Sequence, residues 1–415
     1  MNYKNHVKSH RNTRRKGGNR HTLTRYNRAN ITLQFLKTVC SDSGVCIAFG
    51  KETDKIKSFF DNFVYKYKKS QKELSKGANG VVYEIEYERM KYKAYTIIKI
   101  ARDKRADNLI YEYIVGINFI NTWHKKFPCF LETYNWCTNP KDNPTFHLEK
   151  TIHELISISC RIPLSIGIQL EYIKSPKPIR ILLSKSSFWE NNIFQALFQV
   201  YFPLACLGNN FTHYDLHDEN VLLWIPVENH YIHYHYHGKT TVSFKSPYVT
   251  KIIDYGRCHF KSSTVDSLQI HRKVCANPSC NKSRPCGEDL GYEWMMYPQI
   301  KHNYFINTSI SNISHDLRLL NIVSEYYKQG RFHIQDGEKK FLENIIYEHY
   351  FGTPEIIEQR FPNYTANIYD ALSFLTEICT TKKAVEHNDK LYDSILKLGD
   401  LHVYNDGRNM EFIPI

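Results

Sequence analysis

The sequence predicts an α+β fold, strand-rich up to about residue 173 and mostly helical beyond it. Three observations carry this. Val81, Val82, Tyr83 and Ile85 follow a glycine turn, and residues 95–100 form a second β-rich run that ends near Lys99. Residues 166–173 are a further apolar strand, stopped by Ser175, Pro176 and Pro178. Beyond it, Ile193, Leu197, Val200, Leu204 and Leu207 recur at helical spacing, with Pro203 as a kink and Gly208 where a C-cap glycine belongs.

The remaining elements fall in order around these. Residues 1–30 carry nine Lys or Arg and no carboxylate, a composition that predicts a disordered basic arm suited to weak contact with nucleic acid or to nuclear targeting. Residues 31–70 mix apolar and Lys-rich positions and give no assignment. A helix is predicted over 108–120, with Leu109, Tyr113, Ile117 and Ile120 on one face. Short strands at 222–224 and 251–253 flank a His- and Tyr-rich insert. There His230, His233, His235 and His237 alternate with tyrosines, which predicts an extended hairpin with its histidines on one face. Exposed strand histidines are the favoured reading, and a metal site the alternative. Another helix is predicted over 312–327, and the last ninety residues read as helical. His271, Cys275, Cys280 and Cys286 lie in one Pro- and Asn-rich stretch. They are either four zinc ligands or ordinary thiols, and their spacing is not that of a zinc ribbon.

Composition bounds the function classes. The 415 residues are 42% hydrophobic and 23% charged, enough for a large domain with a real core. No run of eighteen apolar residues occurs, which predicts no membrane span. The basic start lacks the apolar centre of a secretory signal. Eleven scattered cysteines argue against a disulfide framework and for an intracellular setting, cytoplasmic or nuclear. The net charge of +13 points to acidic partners or to solubility alone.

Phosphoryl transfer needs a loop that holds phosphates, a cation that neutralises them, oxygens for a metal, and a carboxylate that orients the incoming hydroxyl. Each part has a candidate, in order. Ser75, Gly77, Ala78, Gly80 and Val82 form a glycine-containing loop between strands. Lys99 ends a β-branched strand, and Glu112 on the next helix is a partner for it. Asp215 lies in the run His213, Tyr214, Asp215, Leu216, His217, Asp218, Glu219, Asn220, and would accept or orient a hydroxyl proton. Asn220 would face a metal ion, and Asp254 in Asp254, Tyr255, Gly256 would supply the metal carboxylate.

These residues resemble the protein kinase superfamily, over roughly residues 70–330, and look closest to its haspin-like branch and to divergent kinases of large DNA viruses. The resemblance implies a bilobal fold. After the basic arm, 31–173 would be a small β-rich N-lobe with an N-terminal extension. Residues 174–415 would be a larger helical C-lobe with inserts near 225–250 and 257–300. It implies ATP and Mg2+ as cofactors and transfer to serine or threonine hydroxyls of a protein, basic or chromatin-associated, in a host cell or virion if viral. It gives Glu171 and Ile173 a hinge whose backbone binds adenine, and Asp316 a bracing role under the catalytic loop. Ser75 in place of a glycine, Tyr214 in place of an arginine and the lack of an Ala-Pro-Glu depart from the family. His217 is shared with small-molecule kinases of the aminoglycoside and choline type, which keeps that class open. A catalytically silent scaffold is the reading from outside enzymes.

Overall fold

The computed structural model describes residues 48–76, 80–101, 109–138, 144–147, 166–275, 293–295, 305–330, 332–347 and 364–415. The basic arm, Gly77, Ala78, Cys280 and Cys286 lie outside them. The fold is α+β, built from antiparallel sheets, one parallel strand pair and helices.

Period-two alternation builds the first sheet. In β2 (Gly80–Arg89), Ile85 and Tyr87 are fully buried while Glu84, Glu86 and Glu88 remain partly exposed. In β3 (Tyr92–Ala101), Ile98 and Ile100 point to the same buried face. Lys99 and Ile97 therefore share the other face. With β1 (Lys68–Lys76), β4 (Thr133–Thr138), β5 (Thr145–His147) and β6 (Ile166–Glu171) they form a six-stranded antiparallel sheet of order β1-β2-β3-β6-β4-β5.

One face of the sheet is covered by the segment that the sequence left unassigned. Helix α1 (Thr53–Phe59) and the turn after it bring Phe59, Phe60 and Phe63 onto Ile85, Tyr87, Ile98 and Ile100. The other face receives α2 (Leu109–Val115), in which all seven residues are buried. Six of the seven are apolar or aromatic and the seventh is Glu112, so the helix belongs in the core with one carboxylate to be paired. The helical path runs on through a π-turn at Gly116–Ile120 to Asn121–His124, past the predicted end at 120.

In the second half, α3 (Ile193–Leu207) buries twelve of its fifteen residues and is the central core helix. It runs through Pro203 and ends at Gly208, whose φ of +53° is the left-handed backbone that favours glycine at a helix end. Strands β7 (Val221–Trp224) and β10 (Val249–Ile252) pair antiparallel, with Val221 opposite Ile252. Between them lie β8 (His230–His237) and β9 (Val242–Ser246), the predicted hairpin. Helices α4 (Arg318–Gln329), α5 (Asp336–Glu343), α6 (Ile368–Thr380) and α7 (Lys382–Leu391) follow.

The end of the chain corrects the expectation of an all-helical last ninety residues. After α7 come strands β11 (Leu396–Tyr404) and β12 (Glu411–Pro414). β11 runs parallel to β8 and makes a second sheet of order β9-β8-β11-β12. Leu401 and Val403 alternate with Asp400, His402 and Tyr404, a strand period whose pairing partner is far away in sequence. Among the described residues no helix is long and apolar enough to cross a membrane.

Candidate active site

Lys99 is drawn to two carboxylates. Its Nζ donates to Glu112 Oε2 at 2.7 Å and to Asp254 Oδ1 at 2.9 Å. Strand period turns Lys99 toward α2, and the first turns of α2 carry Glu112, which is 1% exposed. Burial alone would strip the ammonium of its proton. Asp254 and Glu112 outweigh it and hold Lys99 above its usual range. Burial pushes Glu112 up to about 7 against the pull of Lys99. Asp254 goes the other way: burial raises it, but Lys99 brings it below the ordinary carboxylate range. The Lys99–Asp254 directions agree with an ion pair. For Glu112 we weigh the 2.7 Å contact with a protonated lysine more heavily and take that pair as charged too.

The β7–β10 ladder explains how two distant motifs meet. Its register puts Val221 opposite Ile252, so Asn220 and Ile253 emerge at the same end, and Ile253 N–H donates to Asn220 O at 3.0 Å. Asp254 comes next. It takes a left-handed backbone, φ 68° and ψ 70°, which aspartate tolerates better than most side chains. Asn220 Nδ2 reaches back to the Asp215 carbonyl at 2.9 Å, closing the 215–220 loop on itself.

A buried brace holds the other side of that loop. Asp316, 1% exposed, accepts from the backbone N–H of His213 at 2.8 Å and of Tyr214 at 3.0 Å. Burial pushes its carboxyl up to about 7, while those two N–H groups pull it down. Tyr214 has φ 61°, costly for a bulky aromatic, by about 1–3 kcal/mol. The Asp316 bonds and the Tyr214 hydroxyl donating to Ile310 O at 2.8 Å offset that strain. His213 is fully buried. Its Nδ1 accepts from Asp215 N–H at 3.3 Å and its Nε2 lies 3.0 Å from Ile253 O, so the neutral ring is protonated on Nε2 and links the two loops.

The predicted residues thus fall into two groups. Lys99, Glu112 and Asp254 are in direct contact, and Asp215 and Asn220 join them through the backbone of 213–220 and 253. The strand residues stand apart. Ser75 pairs with Val82 in the β1–β2 ladder, and Val82 lies opposite Lys99. Gly80 has a structural reason to be glycine: a Cβ there would meet Ile100 O at 2.7 Å. The Glu171 carboxylate accepts from Lys251 at 3.3 Å and Glu132 N–H at 3.1 Å, so its side chain is committed to structure. Burial raises that carboxyl, yet Lys251 and His124 bring it below its ordinary value. Ile173 is buried just beyond β6.

Two residues escaped the sequence reading. Arg318 donates to Asp215 Oδ1 at 2.7 Å and Arg257 to Oδ2 at 3.4 Å, a guanidinium on each carboxylate oxygen. Neither arginine belongs to a periodic pattern; position 257, one step after Gly256, was the only local signal. His217 Nε2 lies 3.9 Å from Asp215 Oδ1. A cavity of about 570 Å³ is lined by Lys57, Tyr95, Glu171, Tyr172 and Lys251 but by none of Lys99, Asp215, Asn220 and Asp254. The cavity is thus separate from the converging charged groups of Lys99, Glu112 and Asp254. His271 is no free ligand: its ring contacts Thr308 Oγ1 at 2.8 Å and Ser309 Oγ at 3.3 Å, and burial holds it at about 3. Of the other three residues of the zinc alternative, Cys275 ends a helix, and Cys280 and Cys286 lie outside the described residues.

No protein-family model matches this sequence, and no curated protein matches it.

Proposed function

We propose that the chain is an ATP-dependent protein kinase of bilobal fold that transfers the γ-phosphoryl group to serine or threonine hydroxyls of a protein. The observation that carries this reading is the Lys99 ammonium bonded to both Glu112 and Asp254, beside the loop of Asp215 and Asn220. The six-stranded sheet that carries Lys99 and the helical half that carries Asp254 are the two lobes of this proposal, with Glu171 and Ile173 between them.

The residues fit magnesium. Lys99 takes Oδ1 of Asp254 and Asn220 spends Nδ2 on Asp215 O, which leaves Oδ2 of Asp254 and Oδ1 of Asn220 as hard oxygen donors. When bound, Mg2+ neutralises phosphate charge. Glu112 orients Lys99, whose ammonium then faces the phosphates. Ser75, Gly80 and Val82 of β1 and β2 would lie on the phosphate side; Gly77 and Ala78, the rest of that predicted loop, fall outside the described residues. Asp215 accepts the hydrogen bond of the acceptor hydroxyl. With Arg318 and Arg257 on its oxygens, its carboxylate plane is fixed, so orientation of that hydroxyl is its main contribution.

The test is transfer from labelled ATP with magnesium to histones, other proteins and small aminated or hydroxylated acceptors. Protein labelling by the wild type, lost by about a thousandfold in Lys99→Met and in Asp254→Asn with circular dichroism unchanged, is the expected result. Labelling of small acceptors alone would move the substrate class to the small-molecule kinases. ATP binding without transfer to any acceptor would leave a scaffold.

A further inference from the structure

The insert sheet places chemistry on its outer face that phosphoryl transfer does not use. In β8, Ile232, Tyr234 and Tyr236 are buried, and Tyr236 packs edge-on against Phe198 and Phe202 of α3. Alternation turns His233, His235 and His237 outward. β11 does the same with Asp400 and His402. The parallel register sets His233 opposite Asp400 and His235 opposite His402.

His233, His235 and Asp400 each offer one ligand atom, all within 4.8 Å of one another. His233 Nδ1 lies 3.4 Å and His235 Nε2 3.0 Å from Asp400 Oδ1. A tetrahedral zinc ion with bonds of about 2.0–2.1 Å has ligand-to-ligand edges of about 3.3–3.4 Å, so little adjustment separates this group from a coordination shell. The rings are also held from outside. His235 Nδ1 contacts Ser243 Oγ at 3.1 Å, the kind of outer contact that orients a ligating imidazole, and His402 stacks on the His235 ring at 4.6 Å. One competitor is present: Lys397 Nζ sits 2.7 Å from Asp400 Oδ2.

We propose that His233, His235 and Asp400 form a divalent transition-metal site of the zinc class that pins the C-terminal strand β11 to the insert strand β8. Two imidazoles and a carboxylate suit zinc and its borderline neighbours rather than magnesium or calcium. The fourth position falls to water. His235 and Asp400 stand 165 residues apart, so the shell exists only when β11 is docked, and binding stabilises the docked state.

The experiment uses full-length protein stripped by chelator and titrated with cobalt(II) chloride, then zinc chloride. Cobalt d–d absorption without a thiolate charge-transfer band, and a zinc-dependent rise in Tm, are expected. The His233→Asn/His235→Asn double variant should bind at least about tenfold more weakly and lose the Tm rise. Lys397→Met should bind more tightly than wild type, because the competing cation is gone. Asp400→Asn, read the same way, replaces the double variant if that one does not fold. A thiolate band, absence of cobalt binding by the wild type, or wild-type affinity in the ligand variants would overturn the proposal.

Discussion

Acidification from pH 7 to 5 should destabilise this protein in a way that one residue, His213, accounts for in measurable part. Both ring nitrogens are committed: Nδ1 accepts from Asp215 N–H and Nε2 donates to Ile253 O. Protonation of Nδ1 breaks the first bond inside a fully buried site. Burial accordingly depresses the group from an ordinary 6.5 to about 4, although Asp215 and the Ile253 carbonyl oppose the shift. A histidine with a depressed folded pKa contributes its stability in full above 6.5 and loses it as pH falls toward 4. Integrated from pH 7 to 5, the loss is about 2 kcal/mol. Urea denaturation of wild type and His213→Gln at both pH values measures it. Glutamine keeps polar contacts but does not titrate. His271 and His233 are depressed too, but they are common to both proteins and cancel in the difference. The wild type should lose about 2 kcal/mol more than the variant over this range. Equal losses in the two proteins would refute the assignment of a neutral, doubly bonded ring.

Two further outcomes follow from the braces around the same loop. Asp316→Ala removes two buried hydrogen bonds and leaves two buried N–H groups beside a strained Tyr214, so urea denaturation at pH 7 should show a loss of about 3 kcal/mol or more, with Asp316→Asn intermediate. Arg318→Met removes the 2.7 Å bond to Asp215 Oδ1; under the proposed kinase function, kcat on a protein substrate should fall by about ten- to a hundredfold while KM for ATP stays level, and a change in KM alone would remove Arg318 from this role.

What the sequence made legible was local. Lys99 sits on the phase of an alternating strand opposite Ile98 and Ile100, and Asp215 and Asn220 lie five positions apart in one loop, so neighbours could be read without knowing the tertiary fold. Asp316 came instead from the resemblance to kinases, and its two bonds to the backbone of 213 and 214 span about a hundred residues. The covering segment was not, because Asp61, Asn62 and Phe63 have successive positive φ values that no helix or strand period describes, although Phe59, Phe60 and Phe63 are core residues. The C-terminal strands were missed because β11 owes its place to β8, and a parallel partner so distant leaves no trace in a local window. Arg318 and Arg257 were invisible as ligands of Asp215: an arginine near a loop looks the same whether it faces solvent or a carboxylate.

The position of the insert has a consequence for how the two halves of the site are kept in register. β8 and β9 do not interrupt the β7–β10 pair; they form a separate sheet with β11 and β12, reached from the far end of the pair, where Trp224 pairs with Val249, while Asn220 and Asp254 emerge from the near end beyond Val221 and Ile252. A four-residue ladder spans only about 10–14 Å, short for a strand pair that must aim two polar side chains. Its interior is dry: Val221, Leu223, Val249 and Ile252 are all buried, and Thr250 N–H is taken by Gln199 of α3 at 2.9 Å. A one-residue slip of β7 would turn Val221 and Leu223 to the side where Leu222 and Trp224 are only half-buried, so the register is specified from that strand. Beyond it, the insert hairpin is clamped by α3 through Tyr236 and by β11 along its whole length. Both ends of the short ladder are therefore tied to larger packed elements. The chain can carry a long insert between two neighbouring site residues because the insert grows outward from the end of the ladder that the chemistry does not use.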